Sequence, residues 1–202
     1  SACLVGSEMG IRDRYNTLEN IRYAILLGEP DRADEMIRRL TALLRYSTDT
    51  SRSMVPLGSD SEKLKDYLEI IRLRQDGRFT YTVQVDPAVR DVLIPKLWVQ
   101  PVVENSVKYG SLRKQTLHVD LTARMEDGFL LLTVEDNGTG FEPQRLKEVQ
   151  DSLTDPKKGT RQSGLQSLAR RLVLLYGKES SVTIESEYMV HTRGTLRMRR
   201  GG

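Results

Sequence analysis

Cysteine is nearly absent from this sequence of 202 residues: Cys3 stands alone, so no disulfide can staple the fold from within. So low a count fits a reducing, cytoplasmic compartment. Long hydrophobic runs are missing too. No stretch approaches the ~20 apolar residues that cross a bilayer, and no signal peptide is visible. Nor does one sign of charge dominate. Lys and Arg number 31 against 28 Asp and Glu, a formal charge of +3, and the basic residues are spread along the chain. Such a balance gives direct nucleic-acid binding no footing. Histidine is scarce, with His118 and His191 only. Internal repeats and low-complexity tracts are likewise lacking, and the start at Ser1-Ala2 fits a piece of a longer protein.

What is present has the balance of a soluble folded chain, 38% hydrophobic and 29% charged. The length suffices for one good domain and a smaller helical piece. Over residues 15–27, Tyr15, Leu18, Ile21 and Ile25 recur at helical spacing. Gly28-Glu29-Pro30 breaks the pattern. A second helix is expected over 31–47, with Ala33, Met36, Ile37, Leu40, Leu43 and Leu44 on one face. Two amphipathic helices joined by a short turn make a hairpin that cannot close a core alone. Its stripes are expected to bury against a second copy of the chain, the alternative being the rest of the same chain.

Ser59-Asp60-Ser61-Glu62 reads as a capping box opening a third helix, with Leu64, Tyr67, Leu68 and Ile71 inward. A domain boundary is placed near residues 53–60, giving a hairpin over 1–55 and a second domain over 56–202. From Phe79 to Val85 the period changes to two, the mark of a half-buried strand. The remainder reads as mixed α and β. Helices are expected over 95–109 and after Gly164, the latter with Leu165, Leu168, Leu172 and Leu175 on its inner side and Gly177 ending it. Strands are expected over 116–124, 129–135, 182–187 and 195–199, with Glu126-Asp127-Gly128 as a hairpin turn. Between Phe141 and Gly164 the sequence is polar, with a short helix at 143–151 at most, and a long loop of that kind is usually a lid or binding loop.

Three segments carry chemistry. In Val134-Glu135-Asp136-Asn137-Gly138-Thr139-Gly140 an acid ends an apolar strand and two glycines follow. The Asp136 carboxylate can accept from the exocyclic amine of adenine, and Gly138 and Gly140 let backbone approach a base; an ordinary Asp-Asn-Gly turn reads the same way locally. In Pro101-Val102-Val103-Glu104-Asn105-Ser106-Val107-Lys108-Tyr109-Gly110, Asn105 offers an amide oxygen to Mg²⁺. Lys108, three residues on, can meet phosphate charge or simply favour the helix end. Lys157-Lys158-Gly159-Thr160-Arg161-Gln162-Ser163-Gly164-Leu165 runs a Gly-bearing loop into a helix N-terminus, which favours phosphate.

In order and rough separation these segments resemble the N, G1 and G2 boxes of the Bergerat ATPases of gyrase, MutL and histidine kinase type. Over nearly its full length the chain is similar to the LytS-like sensor histidine kinases. The residues that carry this are Tyr15-Asn16-Thr17-Leu18-Glu19-Asn20-Ile21, Leu43-Leu44-Arg45-Tyr46-Ser47, Val55-Pro56-Leu57, Tyr67-Leu68-Glu69, and Ile94-Pro95 followed by residues 100–105. The resemblance implies an α+β architecture: a helical dimerisation hairpin, then an α/β-sandwich ATP-binding domain with a mixed sheet. It implies Mg-ATP held by Asn105, Lys108, Tyr109, Asp136, Gly138, Gly140, Thr160, Ser163, Gly164 and Leu165, with Asn105 as the metal ligand. It further implies a homodimer, a response regulator as partner, and a place in the cytoplasmic portion of an inner-membrane sensor.

The sequence departs from that family at the phosphoacceptor. Arg12 stands where the family has its histidine, and Met9-Gly10-Ile11-Arg12-Asp13-Arg14 replaces the Pro-His-Phe surroundings. A guanidinium stays protonated and cannot be the nucleophile. Neither His118 nor His191 lies on the hairpin. Ser167 stands where an Asn is common. Glu104 is a further catalytic candidate, positioning a metal-bound water or a second donor. The hydrolytic members carry their water-activating acid four residues before the Asn, and that position is Pro101 here, so efficient hydrolysis by that route is not expected.

Overall fold

The structure, a computed structural model, describes residues 8–110, 116–154 and 164–199, with side chains from Tyr15 onward. Helices α1 (Glu8–Leu26) and α2 (Pro30–Thr48) form the hairpin. Pro30 sits at the first position of α2, where its missing N–H forfeits no hydrogen bond. Helix α1 starts well before its apolar periodicity, which places residue 12 inside the helix. Ile21, Ala24, Ala33 and Met36 make a small buried cluster, closed by Leu40 and by Leu73 of α3 (Leu57–Arg74). Part of the α2 stripe is thus covered by the same chain rather than kept for a second copy. On α1, Tyr15, Leu18 and Ile25 remain 67%, 53% and 60% exposed.

The capping box is not formed. Helix α3 begins at Leu57, after Pro56, with no side-chain cap. Ser61 Oγ donates to the Gly58 carbonyl at 2.8 Å, and Asp60 turns inward to accept from Tyr46 Oη and Leu97 N. With the helix already under way at Leu57, Ser59 and Glu62 lie inside it, and the Glu62 carboxylate accepts from Lys65 Nζ at 2.9 Å instead. Leu64, Tyr67, Leu68 and Ile71 are buried, as their spacing predicts.

Five strands form the main sheet in the order β2-β4-β5-β7-β6: β2 (Phe79–Val85), β4 (Leu117–Glu126), β5 (Phe129–Asp136), β6 (Ser181–Glu187) and β7 (His191–Arg199). Strand β2 runs parallel to β4 and the other pairs are antiparallel, so the sheet is mixed. Alternation sorts the two faces. Along β5, Leu130, Leu132, Val134 and Asp136 are buried while the residues between them are half-exposed. Helices α3, α4 (Gln100–Gly110), α5 (Pro143–Thr154) and α6 (Gly164–Tyr176) contribute to the core over that face, giving two layers. Leu132 is wholly buried in the central strand. Leu132→Ala is expected to lower the unfolding free energy by about 2–5 kcal/mol, through lost transfer energy and a residual cavity. Urea unfolding should show it as a lower midpoint at unchanged slope.

Several boundaries differ from the sequence expectation, each through a non-local contact. The helix expected from residue 95 starts at Gln100, because β3 (Leu93–Pro95) pairs antiparallel with β1 (Met54–Pro56) and Leu97 has a φ of 55°. Helix α5 outruns the short helix expected at 143–151 and packs Leu146, Val149 and Leu153 on the core. Leu175 is exposed, not inward: Tyr176, one turn beyond Leu172, takes the inner place, 6.3 Å from the Trp98 ring. Strand β7 begins at His191 because β5 extends alongside it, pairing Asp136 with Thr192. Among the described residues no helix is long and apolar enough to cross a membrane.

Candidate active site

Strand β5 ends on Asp136, and the chain then turns beneath the C-terminal end of α4. Asn137 fastens this turn to β4: its Oδ1 accepts from His118 N at 2.8 Å, and its own N–H reaches His118 O at 3.2 Å. Gly138 follows, seated directly on Gly110, the last residue of α4. A Cβ on Gly138 would stand 2.3 Å from Gly110 Cα and 2.6 Å from Asp136 Oδ1, so hydrogen is the one side chain that fits. Gly140 has a φ of 61°, and a Cβ there would meet Glu187 O at 2.3 Å. Met189 N donates to Thr139 O at 2.7 Å and Ser186 Oγ accepts from Phe141 N at 2.9 Å, which ties the turn to the β6–β7 hairpin.

Asp136 is 2% exposed. Burial raises its pKa, because taking a carboxylate out of water disfavours the charged form. The Ser106 hydroxyl and the Gly138 N–H, the latter 2.9 Å away, oppose that shift by hydrogen-bonding the charged form, and the nearby His191 acts in the same direction. The result is a buried acceptor at the floor of a small cavity of about 20 Å³. Val102, Asn105, Ser106, Tyr109 and Gly110 line it from α4, and Gly140, Phe141 and Leu165 from the other side. The Tyr109 and Phe141 rings stand 6.3 Å apart.

The structure brings Asn105, Tyr109, Asp136, Gly140 and Leu165 to one cavity, with Gly138 immediately behind Asp136. Asn105 is half-buried and its Nδ2 donates to Pro101 O at 2.9 Å, which leaves the Oδ1 carbonyl as its other polar atom. The Lys108 ammonium lies 4.8 Å from the Tyr109 ring centroid, against the tyrosine face rather than in the cavity. Gly164 opens α6 at 3.8 Å from the Pro101 side chain, by the same measure of an added Cβ. Thr160 and Ser163 lie outside the described residues, as does the side chain of Arg12. Glu104 is directed elsewhere. Its Oε1 accepts from Gln100 Nε2 at 2.7 Å and it lines a separate cavity with Thr17, Leu44, Tyr67 and Leu97, between the hairpin and α4.

Sequence reasoning passed over Ser106, Gly110, Phe141, Thr192 and Gly194, all of which line the cavity. Gly194 had a readable signal, since an isolated glycine inside a strand marks a close approach: a Cβ there would stand 2.7 Å from Val102 Cγ1. Ser106 and Thr192 carried none, because only the folded register puts them beside Asp136.

A two-layer fold with this buried acid, glycine turn and Asn-bearing helix is that of an ATPase class shared by signalling kinases and DNA-handling enzymes. The family described as "Histidine kinase-, DNA gyrase B-, and HSP90-like ATPase" matches residues 91–201, and the family described as "Histidine kinase" matches residues 14–79. The chain belongs to this ATPase family and, within it, to the histidine kinases. It is similar to the sensor histidine kinase YesM of Bacillus subtilis, 31% identical over 182 residues, 90% of this chain and 30% of that protein. It is also similar to the sensor protein kinase HptS of Staphylococcus aureus, 30% identical over 184 residues, 90% of this chain and 34% of that one. The chain therefore spans about a third of the length of these curated relatives. Its fold is shared by the histidine kinase domain of the blue-light activated histidine kinase of Erythrobacter litoralis, with TM-score 0.52, 19% identity, and 89% and 84% of the two chains covered.

Proposed function

We propose that this chain is the ATP-binding and hairpin core of a two-component sensor histidine kinase, with Mg-ATP held in the Asp136 cavity. The hairpin would comprise residues 1–55 and the ATP-binding part residues 56–202. The observation that carries the reading is the convergence of one buried carboxylate, a glycine turn with no room for a Cβ, and Asn105 on a single cavity. Asp136, an acceptor when ionised, selects the adenine amine over the guanine carbonyl. Tyr109 and Phe141 part to admit the ring, and Leu165 packs against it. Mg²⁺ supplies charge neutralisation along the phosphates, and Asn105 Oδ1 is the protein oxygen offered to it. Lys108 would exchange the Tyr109 face for phosphate, and Thr160, Ser163 and Gly164 would contact the phosphates.

Kinase chemistry would pass the γ-phosphoryl to an imidazole nitrogen while ADP leaves. Arg12 offers no such nitrogen. The chain then serves a histidine outside α1, or acts as an ATP-dependent dimer scaffold, a second reading that the arginine itself favours. The exposed Tyr15, Leu18, Ile25 and Ile37 supply an apolar surface for a second copy. A response regulator would be the downstream acceptor, and the parent protein an inner-membrane sensor with this portion in the cytoplasm. Pro101, in place of a water-activating acid, argues against a hydrolytic ATPase.

Asn105→Ala tests the site. Calorimetric titration with a non-hydrolysable ATP analogue should show that nucleotide binding no longer depends on Mg²⁺, with thermal unfolding of the free protein unchanged. Should the variant need Mg²⁺ as much as the parent, the metal lies elsewhere.

A further inference from the structure

Two of the sequence segments that mark the family, around Tyr46 and around Ile94-Pro95, take no part in the cavity, yet they meet at one buried carboxylate. Asp60, 3% exposed in the first turn of α3, accepts through the same Oδ1 from two directions. Tyr46 Oη, from the last turn of α2, donates at 2.8 Å, and Leu97 N, from the turn that leads into α4, donates at 2.9 Å. Lys96 closes the circuit. Its ammonium lies 4.6 Å from the Tyr46 ring centroid and donates to Tyr46 O at 3.2 Å and Asp49 O at 2.8 Å, carbonyls at the end of α2. There it meets the negative end of the helix dipole. Leu97 is held at a φ of 55°, a region that L-residues with a branched side chain rarely occupy. Helix α4 starts three residues later and carries Asn105, Ser106 and Gly110.

We propose that Tyr46, Asp60 and Lys96 form a positioning clamp through which the end of the hairpin and the nucleotide-site helix α4 set each other's placement. The proposal rests on the nucleotide reading of the α4 cavity. A shift of α2 along its axis carries Tyr46 Oη and the Lys96 anchor with it, and the strained Leu97 turn passes the displacement to the first turn of α4. Linkage makes the effect mutual: whatever nucleotide does to the hairpin end, the hairpin end does to nucleotide affinity. Burial pushes the Asp60 carboxyl upward, while Leu97 N–H, the Tyr46 hydroxyl and the Lys96 charge act against the shift. The groups facing this carboxylate are thus all contributed by the segments being joined.

Amide hydrogen exchange on the full chain, with and without a saturating Mg²⁺ and non-hydrolysable ATP analogue, reads both ends at once. In the parent, nucleotide should slow exchange over residues 102–110 and also over residues 44–49, by roughly tenfold at the latter, the scale of a modest change in local opening. Tyr46→Phe removes one hydroxyl and keeps the ring. It should retain protection over 102–110, lose it over 44–49, and bind nucleotide up to about tenfold more weakly, the same factor in the other direction that linkage requires. Lys96→Met attacks the clamp from the other side and should do the same, so a folding failure of one variant leaves the other to decide. Protection of 102–110 without 44–49 in the parent, or undiminished protection of 44–49 in both variants, overturns the clamp alone. No protection at 102–110 in the parent overturns the nucleotide reading and the clamp with it.

Discussion

Asp136→Asn should bind an ATP analogue more weakly by about 2–3 kcal/mol, roughly 30- to 150-fold in Kd, while the free protein becomes no less stable. Both halves follow from the same burial. The carboxylate is sealed beneath α4, with Gly138 N–H and the Ser106 hydroxyl as its partners. An amide can still accept from Gly138 and donate to Ser106, but it presents donors as readily as an acceptor to the exocyclic amine of adenine. The pH dependence separates the two effects. Because the folded pKa of Asp136 lies above its unfolded value, the folded state holds the proton more tightly. This residue therefore favours folding at low pH, and that contribution is lost as pH rises from the ordinary carboxylate value through the raised one. Relative to Asp136→Asn, the parent should lose stability across that window and level off above it. Nucleotide binding by the parent should strengthen across the same window, since the ionised form is the better acceptor. Calorimetric titration and thermal unfolding at a series of pH values would read both; equal ATP affinity in parent and variant removes the base-recognition role of Asp136.

The second large effect is a gain. The parent chain should bind ATP yet take up no acid-labile label from γ-labelled ATP, whereas Arg12→His should become labelled. An imidazole titrates near neutral pH and carries a free nitrogen lone pair, which a guanidinium never offers. Helix α1 begins at Glu8, so residue 12 lies within it, one turn before the exposed Tyr15 and Asn16. Adding Ile11→Pro and Asp13→Phe should increase the labelling. Residue 11 lies close to the start of α1, where a proline forfeits at most one intrahelical hydrogen bond. Label on the unmodified chain at His118 or His191 would contradict the loss of the acceptor. Normal ATP binding with no labelling in any variant would favour the scaffold reading.

Much of the molecule was legible in the sequence because it depends on neighbours a few residues away. Helical spacing of Ile21, Leu64, Leu68 and Leu168, alternation along β5, and the Asp127-Gly128 turn are local patterns, and the elements they predict are present. The acid at a strand end with glycines two and four residues on is local as well, so Asp136, Gly138 and Gly140 could be singled out before any fold was known. The same holds for the absence of histidine from the first helix. Tertiary structure alone decided the partners. Asp60 looked like part of a cap and serves instead as the acceptor between Tyr46 and Leu97. Glu104 sits beside Asn105 in sequence, yet one residue along a helix turns a side chain by about 100°, and it faces a different cavity. Ser106, Gly110 and Gly194 reach Asp136 and its surroundings only because α4 lies across β5 and β7. Propensity and periodicity fix which residues face inward, but which inward residues meet is set by how helices and strands distant in sequence pack, and that information is not carried by any single segment.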